Sequence, residues 1–339
     1  MNASVPDPIH GHLDAIHELP PLPSRLRDSH KGTFGTVVVV GGSCGGAPHS
    51  PTMLGAPALA GLAALRAGCG LVKLCVPTPL IVPALALCPS ATGLPIPVDA
   101  FGAIEPHLAS AAIDRAVAEA SCIVIGPGLG SGPGADAAAL RAIQQDEVAL
   151  VIDADAINAL GNIREFMRDF RAAAIFTPHP GEFKRLVAAL GLGGDLGLAQ
   201  SREGAAQQLA QRLGSIVVLK GVGTVVTDGH RVWTNTIDHP CLATGGTGDV
   251  LSGLIGGLIA QFVPTPQQML FKAKVAQMPT PPGRPLDLYD AARIAVCAHG
   301  VAAQMWAESH RAAAGLIATE LCELLPAALE LFRTTTPRS

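Results

Sequence analysis

The 339-residue chain is 49% apolar and 15% charged, enough to bury a sizeable core, and its formal net charge of −4 leaves no basic footprint for nucleic acid. Only 4% of residues are aromatic, with two Trp and one Tyr, which argues against base-stacking platforms and calls for a core of small and aliphatic side chains. No run of about 20 residues is continuously apolar and free of charge and proline, so no membrane span is predicted.

The N-terminus lacks a basic start followed by an apolar run and is not a secretory signal, so the cytoplasm is the expected location. Residues 1–30, proline-rich and polar, are expected to form an N-terminal arm over the domain or a partly disordered lead-in. Thr36–Val40 is a continuous β-branched run between glycines, the mark of a buried strand, and Gly41-Gly42-Ser43 follows at once. Residues 43–54 read as loop, Gly55–Gly68 as a helix of small residues and Leu71–Val76 as a second strand, which together make a βαβ unit. A short strand near Gly93–Val98 and a helix over Leu108–Ala120 follow. Three strands then each end in a polar or glycine turn. Ser121–Ile125 runs into GPGLG at 126–130, Val148–Ile152 into DADAIN at 153–158, and Ala173–Phe176 into TPHPGE at 177–182. Helices are expected at Ala135–Gln145, Ala156–Leu160, Arg164–Phe170, Phe183–Leu190 and Gln200–Leu213.

Ile216–Leu219 is a strand meeting KGVGT at 220–224, and Asp228-Gly229 turns a hairpin between Thr224–Thr227 and Arg231–Thr234. Then comes the densest motif, Thr244-Gly245-Gly246-Thr247-Gly248-Asp249, running into an apolar helix to about Gln261. Residues 263–286 read as a proline-flanked insert, and helices at Leu288–Ser309 and Leu316–Leu325 close the chain. With no internal repeat or change of composition, residues 31–330 are expected to be one α/β domain, a doubly wound, mostly parallel sheet.

In such sheets ligands bind beyond the carboxyl ends of the strands, so the five strand-end turns predict one shared crevice. Each turn also has a plain structural reading. The glycines of 126–130 let a helix pack close to a strand, Asp153 and Asp155 cap the next segment, and Glu182 caps as an N3 acid. Lys220 either snorkels or faces a phosphate. The glycine loop at 244–248 suits an anion at a helix N-terminus, and Asp249 is the carboxylate such a site would carry only for a purpose; as a bland alternative it is a helix-start residue. No GxxxxGK[ST] loop and no strand-to-helix GxGxxG is present, so a Walker NTPase and a standard dinucleotide-binding domain fit poorly. None of the eight cysteines forms a CxxC pair, so a zinc site is not expected and buried hydrophobe is the expected role; Cys241, beside the glycine loop, is the one to examine as a thiol.

Taken together, KGTFGTVVVVGGS, GAPALAGLAALRAGCGLV, VIGPGLG, VIDADAINAL, TPHPGEFKRL, VVLKGVGT and LATGGTGDVLSGLIGGLIAQ, in this order, resemble the ADP-dependent NAD(P)H-hydrate dehydratases of the ribokinase-like superfamily. The resemblance runs from about Lys31 to about Leu325 and implies a three-layer α/β/α ribokinase-like fold. It implies dehydration of the S epimer of NADH or NADPH hydrate with ADP as co-substrate, releasing AMP and phosphate. Asp249 would be the catalytic base, and the N–H groups of Gly246, Thr247 and Gly248 the anion hole. Lys220, Gly221, Val222, Gly223, Thr224 and Gly248 would bind ADP or AMP. Ala56, Gly128 or Gly130, His179 and Asp249 would contact the hydrate, and Glu182 would hold Mg2+ through water. The resemblance also implies a homotetramer and a separate epimerase chain, since residues 1–30 are too short for the epimerase domain often fused there. Two other readings stay open: an ATP-dependent vitamin-precursor kinase, and a nucleotide sensor without turnover. The PHPGE turn argues against the first and Asp249 against the second.

Overall fold

The computed structural model describes residues 13–45, 51–193, 201–265 and 286–334. In chain order these begin with α1 (Leu13–His17), β1 (Thr36–Val40), β2 (Ser43–Cys44), β3 (Thr52–Met53), α2 (Gly55–Ala67), β4 (Leu71–Pro77), α3 (Ile81–Leu87) and β5 (Thr92–Ile96). The middle of the chain supplies α4 (Pro106–Glu119), β6 (Cys122–Ile125), α5 (Pro133–Ile143), β7 (Ala149–Ile152), α6 (Ala154–Asn162), β8 (Ala174–Phe176) and α7 (Pro180–Ala189). The remainder is α8 (Arg202–Leu213), β9 (Ile216–Leu219), β10 (Val225–Thr227), β11 (Val232–Thr234), α9 (Thr247–Phe262), α10 (Leu288–His310) and α11 (Ala318–Thr334).

Nine strands form one sheet in the order β11-β10-β9-β8-β7-β6-β1-β4-β5. All neighbours from β9 to β5 are parallel, and β10 pairs antiparallel with both β9 and β11. The central strands are apolar at every position but Thr36, which opens β1, because helices cover both faces. Alternation then sorts each strand between two cores. Val37, Val39, Cys122 and Val124 face α2, α9, α10 and α11. Val38, Val40, Ile123 and Ile125 face α4 to α8. This is the three-layer α/β/α arrangement expected from the motifs.

Small residues set how close the layers come. Gly253 of α9 lies against the Ala60 carbonyl of α2, where an added methyl carbon would be 2.1 Å from the oxygen. The chain from Ile16 to Leu22 joins the same core, with Ile16, Leu19 and Leu22 buried and the Leu22 N–H donating to the Phe332 carbonyl at 2.9 Å.

Three local features differ from the sequence expectation. Residues 43–54, read as loop, include the short antiparallel pair Ser43–Met53 and Cys44–Thr52. The last helix runs to Thr334 rather than stopping at Leu325, passing through Pro326. Pro326 removes one N–H, but Leu325, Ala328, Leu329 and Phe332 keep an apolar stripe in the core, and that burial outweighs the lost bond. Helix α6 starts directly at Ala154. Most of the expected 263–286 insert lies outside the described residues; Leu286 is buried and its N–H donates to the Phe262 carbonyl at 3.0 Å. Among the described residues no helix is long and apolar enough to cross a membrane.

Candidate active site

Because β1, β6, β7, β8 and β9 are parallel, their five following turns share one edge. The chain order reverses between β1 and β6, the position where such sheets open a crevice. At this point the glycines are close-packed. The Gly42 N–H donates to the Pro127 carbonyl at 3.0 Å, and a methyl carbon on Gly126 (φ 121°) would lie 1.8 Å from the Asp153 carbonyl oxygen. A methyl on Gly128 would meet Met53 Cβ at 3.0 Å and Ala56 Cβ at 3.3 Å, and one on Gly130 would meet Ser43 Cβ at 3.1 Å. The structure therefore brings Ala56, Gly128 and Gly130 to one wall, with the β2–β3 pair against them.

Further along the same edge, the turns after β7, β8 and β9 form a second, charged wall. His179 caps α7: its Nδ1 accepts from the Gly181 N–H at 2.9 Å, while Glu182 Oε2 accepts from the His179 N–H at 2.8 Å. This is a reciprocal capping box, so Glu182 does take the N3 role. Burial, with help from Lys220 and Arg185, lowers the His179 pKa and favours a neutral ring. With Nδ1 accepting, its proton sits on Nε2, 3.3 Å from Glu182 Oε1. Burial raises the Glu182 carboxyl above its ordinary range.

Lys220 does not snorkel. Its Nζ donates to Asp153 Oδ1 at 2.8 Å and lies 3.9 Å from Glu182 Oε2. Burial works against its charge, but Asp153 and Glu182 more than offset this and raise its pKa. Asp153 is the N-cap residue of α6, yet its side chain makes no capping bond and is spent on Lys220. Asp155 instead accepts from the Gly130 N–H at 2.9 Å, tying the charged wall to the glycine wall. Ala154 between them adopts a left-handed φ of 47°, a strained turn for a residue with a Cβ.

The glycine loop enters α9 with Gly246 as N-cap at φ 91°. The Thr247 hydroxyl lies 2.9 Å from both the Leu242 and Thr244 carbonyls, so it supports the loop. From behind, His299 Nε2 donates to the Thr247 carbonyl at 2.9 Å; burial holds that ring neutral, with its pKa lowered to about 4. The first-turn N–H groups of a helix lack intrahelical partners and suit an anion, although the Thr247 N–H has a long contact of 3.5 Å to the Thr244 carbonyl. Asp249 sits in that turn. Burial first, then Asp153, Asp155 and Glu182, push its carboxyl up to about 7 against the opposing pull of Lys220.

The KGVGT turn is less open than its glycines suggest. The Gly223 N–H donates to Asp238 Oδ2 at 2.9 Å, and the Thr224 hydroxyl to the Gly221 carbonyl at 2.9 Å. Arg202 holds the turn from outside, donating to the carbonyls of Lys220 at 3.1 Å, Leu219 at 3.3 Å, Gly223 at 3.4 Å and Val222. Val222 itself projects outward, 86% exposed. Arg202, Asp238 and His299 lie outside every motif, and their roles rest on partners distant in sequence. Cys241 is buried with its thiol toward the Ala303 carbonyl, which fits packing rather than chemistry.

Among the described residues no group of three His, Cys, Asp or Glu side chains is arranged to hold a metal ion. Both Glu182 oxygens already face partners. That arrangement fits a hydrated magnesium ion carried on nucleotide phosphates and reached through water, and does not fit direct coordination.

The family model described as NAD(P)H-hydrate dehydratase matches residues 37–327. A bifunctional NAD(P)H-hydrate repair enzyme of Salinibacter ruber is 33% identical over 306 residues, 90% of this chain and 50% of that protein. The corresponding enzyme of Escherichia coli K12 is 34% identical over 307 residues, 90% of this chain and 49% of that protein. The chain thus spans about half the length of the curated relatives it matches. Among solved structures, the ADP/ATP-dependent NAD(P)H-hydrate dehydratase of Bacillus subtilis, co-crystallised with ATP and Mg2+, superposes with a TM-score of 0.69 at 28% identity, covering 94% of this chain and 97% of that one.

Proposed function

We propose, for a chain that belongs to the NAD(P)H-hydrate dehydratase family, that it restores NADH or NADPH from the 6S hydrate, consuming ADP and releasing AMP and phosphate. The observation that carries this reading is Asp249, a carboxylate tuned to about 7 in the first turn of a glycine-loop helix and facing a fixed lysine. A group with that pKa can accept a proton at neutral pH.

Hydroxide is a poor leaving group and a phosphate ester a good one. Asp249 takes the proton of the 6-hydroxyl as its oxygen attacks the terminal phosphoryl of ADP, and AMP leaves. The N–H groups of Gly246, Thr247 and Gly248, at the N-cap and first turn of α9, meet the charge on the phosphoryl in flight. The ring nitrogen's lone pair then expels phosphate, and loss of the adjacent proton restores the dihydropyridine. On this reading Ala56, Gly128, Gly130 and His179 bind the hydrate, and residues 220–224 with Gly248 hold the nucleotide. Glu182 would hold Mg2+ through water, and the ion would neutralise phosphate charge. A homotetramer, a cytoplasmic location and an epimerase partner supplying the S epimer belong to the same proposal.

The test is recovery of reduced-nicotinamide absorbance from the hydrate, run with ADP and with ATP in the presence of magnesium. Equal yields of NADPH, AMP and phosphate with ADP are expected. Untouched hydrate together with phosphorylation of a vitamin precursor would make the protein a kinase instead.

A further inference from the structure

Lys220 and the start of α9 form an unusual electrostatic pair. A methyl carbon on Gly248, the second residue of α9, would lie 3.5 Å from Lys220 Nζ. The ammonium is therefore held beside the positive end of a helix, where a cation is ordinarily disfavoured. Its side chain is 19% exposed, so little water screens the repulsion. Carboxylates keep it there: Asp153, 2% exposed at its side chain and bonded to Nζ at 2.8 Å, is the nearest, with Glu182 further off at 3.9 Å and Asp249 of the same α9 turn adding a weaker attraction. Asp153 sits at the end of β7 and is committed to no helix cap.

We propose that Asp153 is a positioning residue that clamps the Lys220 ammonium against the N-terminus of α9, so that both positive groups converge on the terminal phosphoryl of a nucleoside diphosphate. The inference deepens the proposed function and names what this lysine reads: the second phosphate rather than the nucleoside. Two positive elements kept close repel each other in the empty site, where Asp153, Glu182 and Asp249 offset the repulsion, and both are free to attract an anion that enters between them. Asp153 makes the empty arrangement bearable and fixes the ammonium's direction.

The experiment measures ADP and AMP binding by calorimetry in the intact chain, because the ratio of the two affinities isolates the terminal phosphoryl and needs no turnover. Wild type is expected to favour ADP, and Asp153→Asn to reduce that preference by about tenfold, with AMP affinity changed by less than about threefold. In hydrate turnover the same variant is expected to lose about 10- to 100-fold in kcat with a smaller change in hydrate KM. An Asp153→Asn variant with lower Tm but the wild-type affinity ratio and kcat would overturn the inference and leave Asp153 a structural ion-pair partner. Should that variant fail to fold, Asp153→Asn/Lys220→Met removes both charges and strands neither. Its ADP preference should equal that of Lys220→Met alone, since Asp153 acts through the lysine; a further loss in the double variant would refute this. If wild type binds ADP over AMP through this pair but leaves the hydrate unchanged, the proposed reaction fails and the clamp stands.

Discussion

At the β6 turn a methyl carbon on Gly126 would sit 1.8 Å from the Asp153 carbonyl oxygen, whereas at the start of α9 one on Gly248 would meet, among the described residues, only Lys220 Nζ, at 3.5 Å. The first glycine is surrounded by backbone, at a φ of 121° that a side chain rarely adopts. The second has an ordinary helical neighbourhood and an ordinary contact distance. One wall of the crevice is glycine-rich because the strands, turns and helices there touch. The other holds Gly248, open beside the Lys220 charge, although its neighbour Gly246 (φ 91°) is itself packed against Leu59 and Ala318. Sequence shows both as the same letters, and only packing separates a glycine that serves the fold from one that leaves room for a ligand.

The sharpest way to break this division is Asp249→Asn. Activity is expected to fall by about 100- to 10,000-fold, the contribution a positioned base makes. Stability should move the other way. The folded carboxyl titrates near 7 rather than at its ordinary 3.8, so the folded state binds the proton more tightly than the unfolded chain. That contribution is complete at pH below about 4 and is lost as pH rises through 7. Asn carries no such penalty. Urea unfolding at pH 8 should find the variant more stable by about 2 kcal/mol, after discounting for partial exposure, with the difference vanishing near pH 4. A variant less stable than wild type at pH 8 would mean that Asp249 holds the fold.

The two glycines are next in size. Gly126→Ala should cost about 3 kcal/mol or more in unfolding free energy, because backbone must move to admit the methyl. Gly248→Ala should leave stability within about 0.5 kcal/mol, yet lower kcat/KM by about tenfold or more, since the methyl stands between the ammonium and the anion hole. Chemical denaturation and hydrate turnover on both variants decide it; matching stability losses would erase the distinction between the walls. The wild-type pH profile follows. kcat/KM reports the free enzyme, so it should fall about tenfold for each pH unit below 7 as Asp249 protonates. A plateau continuing to pH 5 would assign the base elsewhere.

Much of this was legible from letters. The apolar runs ending at Val40, Ile125, Ile152, Phe176 and Leu219 mark buried parallel strands, and their polar turns predict one edge. The seven ordered motifs carry the family. What was not legible depends on partners distant in sequence. Asp153 reads as a helix cap, but its counter-ion is 67 residues away. Arg202 lies in an ordinary amphipathic helix, and only folding brings it over the carbonyls of the KGVGT turn. Asp238 likewise takes an N–H that the glycine pattern offered to phosphate. The final helix reads as ending before Pro326 because local propensity carries nothing of the core that Phe332 enters.

The smallest effect probes the same two walls through a hydroxyl on each. Ser43 and Thr247 are both buried, 9% and 7% exposed. Thr247 Oγ1 lies within 2.9 Å of two carbonyls, while Ser43 Oγ has no hydrogen-bond partner among the described residues. A satisfied buried hydroxyl contributes about 1 kcal/mol net, whereas an unsatisfied one costs about 1–3 kcal/mol in lost hydration. Alanine at the two sites should therefore act with opposite sign. Thr247→Ala is expected to destabilise by about 1 kcal/mol, because it also loosens the turn that presents Gly246 and Gly248. Ser43→Ala should raise stability by about 1 kcal/mol, a small gain because the methyl left behind still fills most of the space against Gly130. Denaturant midpoints at one pH are enough to read both. Loss of stability at Ser43 equal to that at Thr247 would show that the hydroxyl facing Gly130 is held after all, and that this wall depends on a polar contact as well as on close packing.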